Sequence, residues 1–415
     1  MTIGIVGMGY VGLPLAVAFA EEGKDVIAVD IDHRRVKALL AGESYVEDIP
    51  DERLRAVLPR ISATTSFGPL WHADAIVICV PTPLSRNREP ELGALVDSGR
   101  ALAGILRPGH LVVLESTTYP GTTRERLVPL LEESGLTAGK DFHIAFSPER
   151  VDPGRTDFTL RTTPKVVGGL TEACGDHAEA LYSGVCDTIV RVGSPEAAEL
   201  SKLLENIFRS VNIALVNELT ILADRMGVDI WEVIDAASTK PYGFMRFEPG
   251  PGMGGHCLPV DPFYLTWKAR EYDFTTEFIE LAGKINQQMP QFCVAKIERA
   301  LNDARKPVRG SKIVILGVSY KAGVGDTRES PALRIMSTLR ERGADLVYHD
   351  PHVPELAGMG YKNTPLKDAL AGADLVVIVT AHPSVDHGAV ISEAPLLVDL
   401  RGITRGADIP TVQRL

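Results

Sequence analysis

Short runs of β-branched and aliphatic residues alternate with longer amphipathic segments in two separate parts of the chain. In the first part the runs lie at residues 3–6, 25–29, 75–80, 111–114 and 144–146. In the second part they lie at residues 312–317, 344–348, 375–379 and 396–399. Strands that alternate with helices pair in parallel through crossover connections. The pattern therefore predicts two Rossmann-like, doubly wound αβ domains.

A long helical segment separates the two alternations. Residues 194–226 contain no glycine, and no proline after Pro195, until Gly227 is reached. Ser194 is a favoured N-cap residue, and Pro195 then falls at the first helical position. A helix of this length would extend about 45 to 50 Å at 1.5 Å per residue.

More helical patterns follow this segment, up to a basic hinge near residues 306–310. We therefore expect a Rossmann-like αβ domain at residues 1–192 and a helical domain at 193–305, joined by the long central helix. The helical domain carries a glycine-rich cysteine loop, and a C-terminal αβ domain follows at 310–415. A length of 415 residues is compatible with two or three domains.

The overall charge argues against polyanionic partners. The 43 basic and 54 acidic residues give a formal net charge of -11. Such a chain repels nucleic acid and anionic membrane surfaces, so any anionic ligand must be held by a local cluster of cations or backbone donors. Neither a nucleic acid nor a membrane is expected as a partner.

Cysteine usage indicates a reducing compartment. The five cysteines are odd in number, widely spaced and contain no Cys-x-x-Cys pair. This favours free thiols over a disulfide or zinc framework. The N-terminal apolar run lacks a basic leader and is interrupted by glycines and Pro14. We therefore expect no signal peptide and no transmembrane helix, and we expect a cytoplasmic location.

The first run ends in a glycine-rich turn, Gly7-Met8-Gly9-Tyr10-Val11-Gly12, which opens a helix at residues 13–22. In this context the glycines permit a tight turn and let backbone N–H groups approach a pyrophosphate at the helix N-terminus. Asp30 ends the second strand, where a carboxylate binds the adenosine ribose and repels a 2′-phosphate. NAD is therefore predicted over NADP. Arg35 weakly favours NADP, because a basic side chain near the ribose can bind a phosphate. The alternative to a dinucleotide site is an ordinary structural turn, but such a turn would need only one glycine.

Polar loops follow three later strands. They comprise residues 79–83, 115–121 and 147–150, and the last places Glu149 beside Arg150. Open α/β sheets bind ligands at the carboxyl ends of their strands. Ordinary βα turns and a surface ion pair are the alternatives.

Lys202 and Asn206 are four residues apart on the long helix and so project from one face. Together they can donate to an oxygen that develops negative charge, and a buried lysine can also move a proton. In isolation such a pair is usually a solvated helix face.

The segment 248–262 is dense in glycine and proline, and it presents a single thiol, Cys257, followed by Asp261. Glycine-rich backbone is costly in chain entropy and is expected where a loop wraps a ligand closely. A cysteine in such a loop suits covalent catalysis. A packed structural cysteine and a metal site at His256-Cys257 are the alternatives. The metal alternative is weak because adjacent side chains point apart.

These motifs, in this order along the whole chain, resemble the UDP-glucose/GDP-mannose dehydrogenase family. The most specific match is Gly254-Gly255-His256-Cys257-x-Pro259-x-Asp261-Pro262. The resemblance implies two successive NAD-dependent oxidations of a nucleotide sugar at C6, from alcohol to carboxylate. It also implies a symmetric helix-to-helix homodimer. The long helix carries an apolar stripe formed by Leu200, Leu203, Leu204, Ile207, Val211 and Leu215.

The resemblance also assigns roles. Cys257 is the implied nucleophile that retains the aldehyde, and Lys202 and Asn206 stabilise negatively charged oxygens of the substrate. Asp261 supports this catalytic cluster. Glu149 is the implied base for hydrolysis, and Thr117 holds the attacking water. The implied NAD contacts are Gly7, Gly9, Tyr10, Val11, Gly12, Asp30, Arg35, Thr82, Thr117 and Arg328. The implied nucleotide-sugar contacts are Glu149, Arg150, Lys202, Asn206, Arg246, Phe247, Gly254, Lys321 and Arg401. No metal is implied, and Arg246 can serve either its own subunit or a neighbour.

Departures from the family pattern narrow the substrate. In UDP-glucose dehydrogenases the corresponding loop typically has the sequence Pro-Glu-Phe-Leu, followed by a second Glu. This chain has Pro148-Glu149-Arg150 instead. The Pro-Glu-Arg form and the segment 249–268 resemble UDP-N-acetylglucosamine 6-dehydrogenases. UDP-GlcNAc is therefore the first expectation, with UDP-glucose, UDP-ManNAc or dTDP-glucose as alternatives. A β-hydroxyacid or 6-phosphogluconate type of dehydrogenase and a non-catalytic NAD-binding protein are the rival classes. The second αβ domain lacks a Gly-x-Gly-x-x-Gly motif, as expected if it binds the nucleotide sugar.

Overall fold

The computed structural model describes residues 1–85, 87, 89–151, 157–255, 260–407 and 409–415. The strands are β1 (Thr2–Val6), β2 (Asp25–Val29), β3 (Ile61–Thr64), β4 (Ala75–Ile78), β5 (Leu111–Leu114), β6 (His143–Phe146), β7 (Lys165–Gly169), β8 (Ile189–Val192), β9 (Lys312–Leu316), β10 (Asp345–His349), β11 (Glu355–Leu356), β12 (Tyr361–Lys362), β13 (Leu375–Ile378), β14 (Leu397–Asp399) and β15 (Val412–Arg414). The helices are α1 (Gly12–Glu21), α2 (His33–Ala41), α3 (Asp51–Val57), α4 (Gly93–Ala103), α5 (Val128–Glu132), α6 (Glu172–Tyr182), α7 (Pro195–Met226), α8 (Ile230–Ser238), α9 (Asp261–Ala269), α10 (Glu277–Asp303), α11 (Pro331–Glu341), α12 (Leu366–Leu370) and α13 (His387–Glu393).

The chain divides into two compact units. Unit 1 comprises Met1–Glu205 and Phe263–Thr275, and unit 2 comprises Asn206–Pro262 and Thr276–Leu415. Each unit is built on one large sheet, as the two alternations of strand and helix patterns predict. The architecture is α/β, with Rossmann-like domains and a long central helix.

Unit 1 contains an eight-stranded sheet of order β3-β2-β1-β4-β5-β6-β7-β8. Side chains alternate across the strands, so Ile3 and Ile5 pack into one core while Val6 packs into the core on the opposite face. The pairing is parallel except between β6 and β7, which run antiparallel. Hydrophobic runs alone do not reveal that reversal, because an antiparallel strand buried on both faces has the same composition.

Unit 2 contains a five-stranded parallel sheet of order β10-β9-β13-β14-β15. This order reproduces β2-β1-β4-β5-β6 of unit 1, with β9 in the position of β1. Ile313 and Ile315 pack into the core that includes α10 and α11, whereas Val314 and Leu316 pack into the core on the other face. The two sheets therefore share the point at which strand order reverses, where α/β folds bind ligands.

The long helix α7 begins and ends where the sequence predicts. The hydroxyl of Ser194 accepts a hydrogen bond from the N–H of Ala197 at 3.2 Å, and Pro195 is the first helical residue. The predicted apolar stripe splits in two. Leu203 and Ile207 are buried within the chain, whereas Leu200, Leu204 and Leu215 are exposed.

Glu199, on the first part of α7, anchors the loop that follows β5. Its Oε2 accepts the N–H of Gly121 at 2.6 Å, and its Oε1 accepts both the N–H and the hydroxyl of Thr123 at 2.8 and 2.7 Å. The residue is fully buried. Since the loop begins with the polar residues at the ligand-binding edge of the sheet, Glu199 fixes that edge.

Among the helices of the described ranges, none is long and apolar enough to cross a membrane.

Replacing Glu199 with Gln should destabilise unit 1 by about 1–3 kcal/mol, because one amide oxygen cannot accept all three hydrogen bonds. Urea denaturation measures the loss, and hydrogen exchange should accelerate in peptides that contain Gly121 and Thr123. Glu196→Gln is the matched control, since Glu196 pairs with Arg124 on the surface of the same helix. Equal stability of the two variants would contradict the anchoring role.

Candidate functional site

The glycine turn after β1 is a crowded backbone cradle with one open position. A Cβ atom at Gly7, which has φ +92°, would lie 2.6 Å from the carbonyl oxygen of Cys79. A Cβ at Gly12 would lie 1.9 Å from the carbonyl oxygen of Gly7. At Gly9 nothing described lies within 4 Å. The first and third glycines are therefore required by packing, and the second leaves space for a ligand, as the dinucleotide fingerprint requires.

Asp30 ties this turn to the end of β2. Its Oδ2 accepts the N–H of Met8 at 2.8 Å and contacts Nη1 of Arg35 at 3.2 Å, while its Oδ1 accepts the N–H of Asp32 at 2.8 Å. The hydroxyl of Tyr45 donates to the carbonyl of Met8 at 2.9 Å. Arg35 is thus held by the acidic residue that disfavours a 2′-phosphate. This arrangement removes the objection that Arg35 raised against NAD.

Two implied NAD contacts at the next strand ends meet directly. The hydroxyl of Thr82, which is buried, donates to the carbonyl of Thr117 at 2.7 Å. Ser116 reinforces the same junction through its hydroxyl, which donates to the carbonyl of Val80 at 2.7 Å. The carboxyl ends of β4 and β5 are therefore linked at the edge where the glycine turn lies. Tyr10, in that turn, is partly exposed.

Glu149 follows β6, and one of its oxygens is held by backbone donors. Its Oε1 accepts the N–H of Arg150 at 2.8 Å and that of Val151 at 2.5 Å. The guanidinium of Arg150 donates to the carbonyl of Pro164 at 2.5 Å and pairs with Glu205 at 2.7 Å. The predicted pair of carboxylate and guanidinium is therefore not an ion pair between neighbours, because each group has its own partners.

Beside Glu149 lies a buried ionic cluster that sequence reasoning missed. Nζ of Lys165 is 3.0 Å from Glu115 Oε1 and 3.7 Å from Glu149 Oε2. The hydroxyl of Tyr182 donates to Glu115 Oε1 at 2.5 Å. A lysine after Pro164 at the start of a strand gives no signal of burial in the sequence, so nothing local could have found this cluster.

The helix α7 carries the two predicted oxyanion stabilisers. Lys202, in unit 1, is partly buried, and its ammonium group makes no hydrogen bond or ion pair within the described part of the chain. Asn206, in unit 2, is buried, and its Nδ2 donates to Oδ2 of Asp261 at 2.5 Å. Asp261 is also buried and begins α9. The structure therefore brings together two residues that are 55 apart in sequence and that the resemblance assigns to one catalytic cluster.

Two asparagines that sequence reasoning missed hold the glycine-rich loop in unit 2. Oδ1 of Asn217 accepts the N–H of Gly250 at 3.0 Å, and Nδ2 of Asn217 donates to Oδ1 of Asn286 at 2.9 Å. Nδ2 of Asn286 donates in turn to the carbonyl of Ser210 at 3.1 Å. The loop is thus bound to both α7 and α10 through buried amides.

Close packing explains the glycines just before the cysteine. A Cβ at Gly254 would lie 2.7 Å from the Cβ of Tyr320, and one at Gly255 would lie 2.9 Å from the Tyr320 ring. The N–H of Gly255 donates to the carbonyl of Arg328 at 3.0 Å. His256, Cys257, Leu258 and Pro259 lie outside the described residues, so the predicted nucleophile has no structural description.

The other four cysteines are packing residues. Cys174, Cys186 and Cys293 are buried, and Cys79 packs against the core of unit 1. Burial raises the pKa of Cys186 to about 11 and that of Cys293 to about 12, and it raises the pKa of Cys79 as well. These three thiols are therefore protonated near neutral pH and are poor nucleophiles.

The cations implied to contact ligands in unit 2 differ in their surroundings. Nε of Arg401 donates to the carbonyl of Val379 at 2.6 Å, and burial lowers its pKa. Arg328 is exposed and pairs with Asp326 at 2.6 Å, and Lys321 is partly buried. Arg246 pairs with Asp235 at 2.7 Å and with Glu248 at 3.0 Å.

Phe247, the remaining implied sugar contact, packs edge-on against Phe208 of α7, with ring centroids 5.8 Å apart. It is partly buried, and so is Arg246 next to it. Both residues are therefore engaged by unit 2 itself.

The turn after β9 repeats the geometry of the first turn but is closed. A Cβ at Gly317 would lie 2.2 Å from the carbonyl oxygen of Thr380, and Oδ2 of Asp350 accepts the N–H groups of Val318 and Ser319 at 2.7 and 3.1 Å. Asp350 is thus the counterpart of Asp30. Here, however, His382 lies 3.0 Å from Asp350 Oδ2, and both side chains are fully buried.

The two sheets, the glycine cradle and the acidic residue at the end of β2 define an NAD-dependent dehydrogenase. The chain belongs to the UDP-glucose/GDP-mannose dehydrogenase family. The NAD-binding domain of the family matches residues 1–186, its central domain matches 196–288, and its UDP-binding domain matches 314–406. The chain is therefore an NAD-dependent nucleotide-sugar dehydrogenase.

Similar proteins support this assignment over nearly the full length. UDP-N-acetyl-D-mannosamine dehydrogenase of Pyrococcus horikoshii is 37% identical over 98% of this chain and 100% of that protein. UDP-N-acetyl-D-glucosamine 6-dehydrogenase of Pseudomonas aeruginosa is 34% identical over 92% and 90%. The solved UDP-D-ManNAc dehydrogenase of P. horikoshii superposes with a TM-score of 0.91 at 36% identity, covering 100% of this chain and 99% of that one.

Replacing Gly9 with Ala should weaken NAD binding and leave the fold intact, because the added methyl enters the space left for the pyrophosphate. Loss of one hydrogen bond to a charged group corresponds to an increase in Kd of about 10- to 100-fold. Calorimetric titration with NAD measures the change. Gly184→Ala is the control, since Gly184 also has nothing described within 4 Å and lies away from the turn. Equal affinities in the two variants would contradict the assignment of the cradle.

Proposed function

We propose that this enzyme oxidises the C6 alcohol of a UDP-N-acetylhexosamine to the carboxylate in two steps, with the intermediate held on Cys257. The observation that carries the proposal is the buried hydrogen bond between Asn206 and Asp261. It connects the amide on α7 to the residue that begins α9, four positions after the cysteine. This contact uses one N–H of the Asn206 amide and holds Asp261 beside it, as expected if both residues belong to one catalytic cluster.

The chemistry requires that the aldehyde stay bound between the two oxidations. NAD, when bound, accepts a hydride from C6 in each step. The Cys257 thiolate adds to the aldehyde carbon to form a thiohemiacetal, and the second oxidation converts this into a thioester. Lys202 and Asn206 stabilise the negatively charged oxygen at C6, and Lys202 accepts the alcohol proton in the first step.

Hydrolysis of the thioester completes the reaction. Glu149 takes a proton from a water held with the help of Thr117, the hydroxide adds to the thioester carbonyl, and the C–S bond breaks to release the thiolate. The fixation of Glu149 Oε1 by two backbone N–H groups supports this role, because it holds the carboxylate in one orientation after β6.

The substrate proposal rests on the sequence pattern and on the relatives. The Pro148-Glu149-Arg150 form favours UDP-GlcNAc, while the P. horikoshii relative is a UDP-ManNAc dehydrogenase. An NDP-N-acetyl-D-galactosaminuronic acid dehydrogenase of Ralstonia nicotianae is 36% identical. These activities share an N-acetylated hexosamine, which is therefore the class we propose, with UDP-GlcNAc and UDP-ManNAc as the two sugars to compare.

We also propose the division of labour along the chain. Residues 1–192 bind NAD, residues 193–305 supply the helix and the cysteine loop, and residues 310–415 hold the nucleotide sugar. Lys321 and Arg401 supply positive charge for the diphosphate, which a chain of net charge -11 must gather locally. The free thiols of the four described cysteines support activity in a reducing compartment.

Two NADH should form for each UDP-sugar consumed, with no free aldehyde, because the intermediate does not leave the thiol. Absorbance at the NADH band, against a panel of UDP-GlcNAc, UDP-ManNAc, UDP-glucose, GDP-mannose and dTDP-glucose, measures both the stoichiometry and the preferred sugar. The N-acetylated UDP-sugars should have the largest kcat/KM.

Cys257→Ser is the control for the role of the thiol. It should abolish carboxylate formation and leave the Kd for NAD unchanged, since Cys257 is not among the implied NAD contacts. One NADH per sugar in the native enzyme, or unchanged turnover in Cys257→Ser, would overturn the covalent route.

We further propose that the enzyme is a homodimer joined along α7. Leu215, Leu219, Leu222 and Met226 are exposed and recur at intervals of three and four residues, so they form one apolar stripe on the helix. Exposed apolar stripes of this kind usually mark an interface. A second copy of the same helix offers a complementary apolar surface.

Leu219→Glu should convert the dimer to a monomer at micromolar concentration, because it would bury a carboxylate in the apolar contact. Sedimentation velocity measures the mass in solution. Leu40→Glu, at an exposed leucine of α2, should leave the mass unchanged. A monomeric native enzyme, or a dimer that persists in Leu219→Glu, would contradict the proposed interface.

A further inference from the structure

Lys165 is a buried cation that the reaction described above does not use. The residue is 2% exposed, although lysine is seldom buried without a partner. Its neighbours include two carboxylates, of Glu115 and Glu149. A buried charge is costly unless its surroundings compensate it, so this arrangement invites a functional explanation.

The two carboxylates are held in different ways. Glu115 is completely enclosed, and its Oε1 receives both Lys165 Nζ at 3.0 Å and the Tyr182 hydroxyl at 2.5 Å. Glu149 retains partial access to solvent, and its Oε2 lies 3.7 Å from the same Nζ. Glu115 and Tyr182 therefore fix the ammonium group, and the ammonium group in turn faces the oxygen of Glu149 that the backbone does not hold.

Lys165 retains donor capacity toward Glu149. Its Nζ lies 3.0 Å from Glu115 Oε1, and because an ammonium group has three N–H donors, this contact does not use them all. The ring of Tyr182 lies 5.0 Å from Nζ and covers one side of the ammonium group. An N–H of Lys165 is thus available to Glu149 after a small movement of the side chain.

Lys165 also keeps its charge. Burial lowers the pKa of Lys165, but the carboxylates of Glu115 and Glu149 outweigh burial and leave that pKa above its ordinary value. For Glu115, burial is the largest influence and raises its pKa. The cluster therefore contains a cation that faces Oε2 of Glu149.

We infer that Lys165 is a positioning residue for Glu149: anchored by Glu115 and Tyr182, it orients Oε2 of Glu149 and so sets the rate at which the Cys257 thioester is hydrolysed. The inference rests on the proposed function of Glu149. Oε1 of the base is then held by backbone N–H groups, and Oε2 faces the ammonium group at 3.7 Å, within reach of a small movement of the lysine. A base fixed in this way presents one lone-pair direction to the water, and misplacement by about 1 Å costs on the order of 10²-fold in rate.

The competing explanation is a purely structural ion pair between Lys165 and Glu115, with Glu149 a bystander. Under that explanation, loss of Lys165 lowers stability and affects all steps alike. Under ours, it selectively slows the last step, so the thioester accumulates while the two preceding oxidations proceed.

The experiment compares the first turnover with the steady state, using UDP-GlcNAc and UDP-ManNAc as probes. Rapid mixing measures the burst of NADH per chain, and intact-protein mass spectrometry after acid quench measures the acylated enzyme. Glu149→Gln provides the reference, with a burst of two NADH, slow steady-state turnover and an accumulated adduct. Lys165→Met should reproduce this behaviour, with steady-state kcat lowered on the order of 10²-fold. Lys165→Arg should recover most of the loss.

A second pair of variants protects the test against misfolding, because Lys165→Met leaves Glu115 buried and unpaired. The second pair consists of Glu115→Gln and of the double variant that combines Lys165→Met with Glu115→Gln. These two variants differ only at residue 165, and neither contains the unpaired Glu115 carboxylate. The double variant should accumulate the adduct to a greater extent than Glu115→Gln. Lys296→Met is the matched control, since Lys296 forms a similarly buried pair with Asp224 at 2.8 Å in unit 2. It should show no adduct.

The outcomes separate the inference from the function on which it rests. If Glu149→Gln accumulates the adduct but the lysine variants do not, Lys165 is structural and the inference is overturned. The inference also fails if Lys165→Met loses the NADH burst, or if Lys296→Met accumulates as much adduct. If Glu149→Gln itself hydrolyses the thioester normally, the proposed role of Glu149 is wrong.

Discussion

The carboxylate of Asp30, which accepts the N–H of Met8 at the glycine turn, is the interaction on which the rest of the site depends. It joins the ends of β1 and β2, holds Arg35, and leaves the position of Gly9 open. The second sheet repeats this interaction with Asp350 and the N–H of Val318, but there His382 encloses the carboxylate. One framework, used twice, thus leaves an open position at Gly9 in unit 1 and a buried histidine against the carboxylate in unit 2. The open position suits NAD, which the matching family domain binds.

The proposed catalytic groups follow from this framework because the carboxyl ends of parallel strands collect at one edge of a sheet. In unit 1, that edge carries Thr82, Thr117 and Glu149. In unit 2, buried side-chain amides position the proposed site residues. Asn206 donates a hydrogen bond to Asp261, and Asn217 accepts one from Gly250 of the glycine-rich loop. Buried polar groups of this kind must be satisfied together, so each network specifies one loop conformation. An acidic chain can in this way bind anionic ligands through oriented donors and a few cations.

Local patterns in the sequence predict the elements that depend on local chemistry. The spans of β2 and β5, and of α7 with its Ser194 cap, were predicted within a residue, because alternation and capping depend on nearby residues. In the two large sheets, β3, β7, β8 and β15 were missed, because polar residues or glycines interrupt their hydrophobic runs. Lys165, Glu115, Glu199, Asn217 and Asn286 were missed for another reason. Their partners lie tens of residues away, and no local pattern distinguishes a buried polar side chain from an exposed one. Cys257 and its neighbours remain a prediction from the motif.

Calorimetric titration of the full chain, first with NAD and then with UDP, tests the central claim that the two αβ domains take different ligands. We predict one NAD per chain, with a Kd that rises strongly in Asp30→Asn and stays unchanged in Asp350→Asn if that variant folds. UDP should bind the NAD-saturated protein with a stoichiometry of one and displace no NAD. Two NAD per chain, or competition between UDP and NAD for one site, would contradict the division of function between the open and the closed turn.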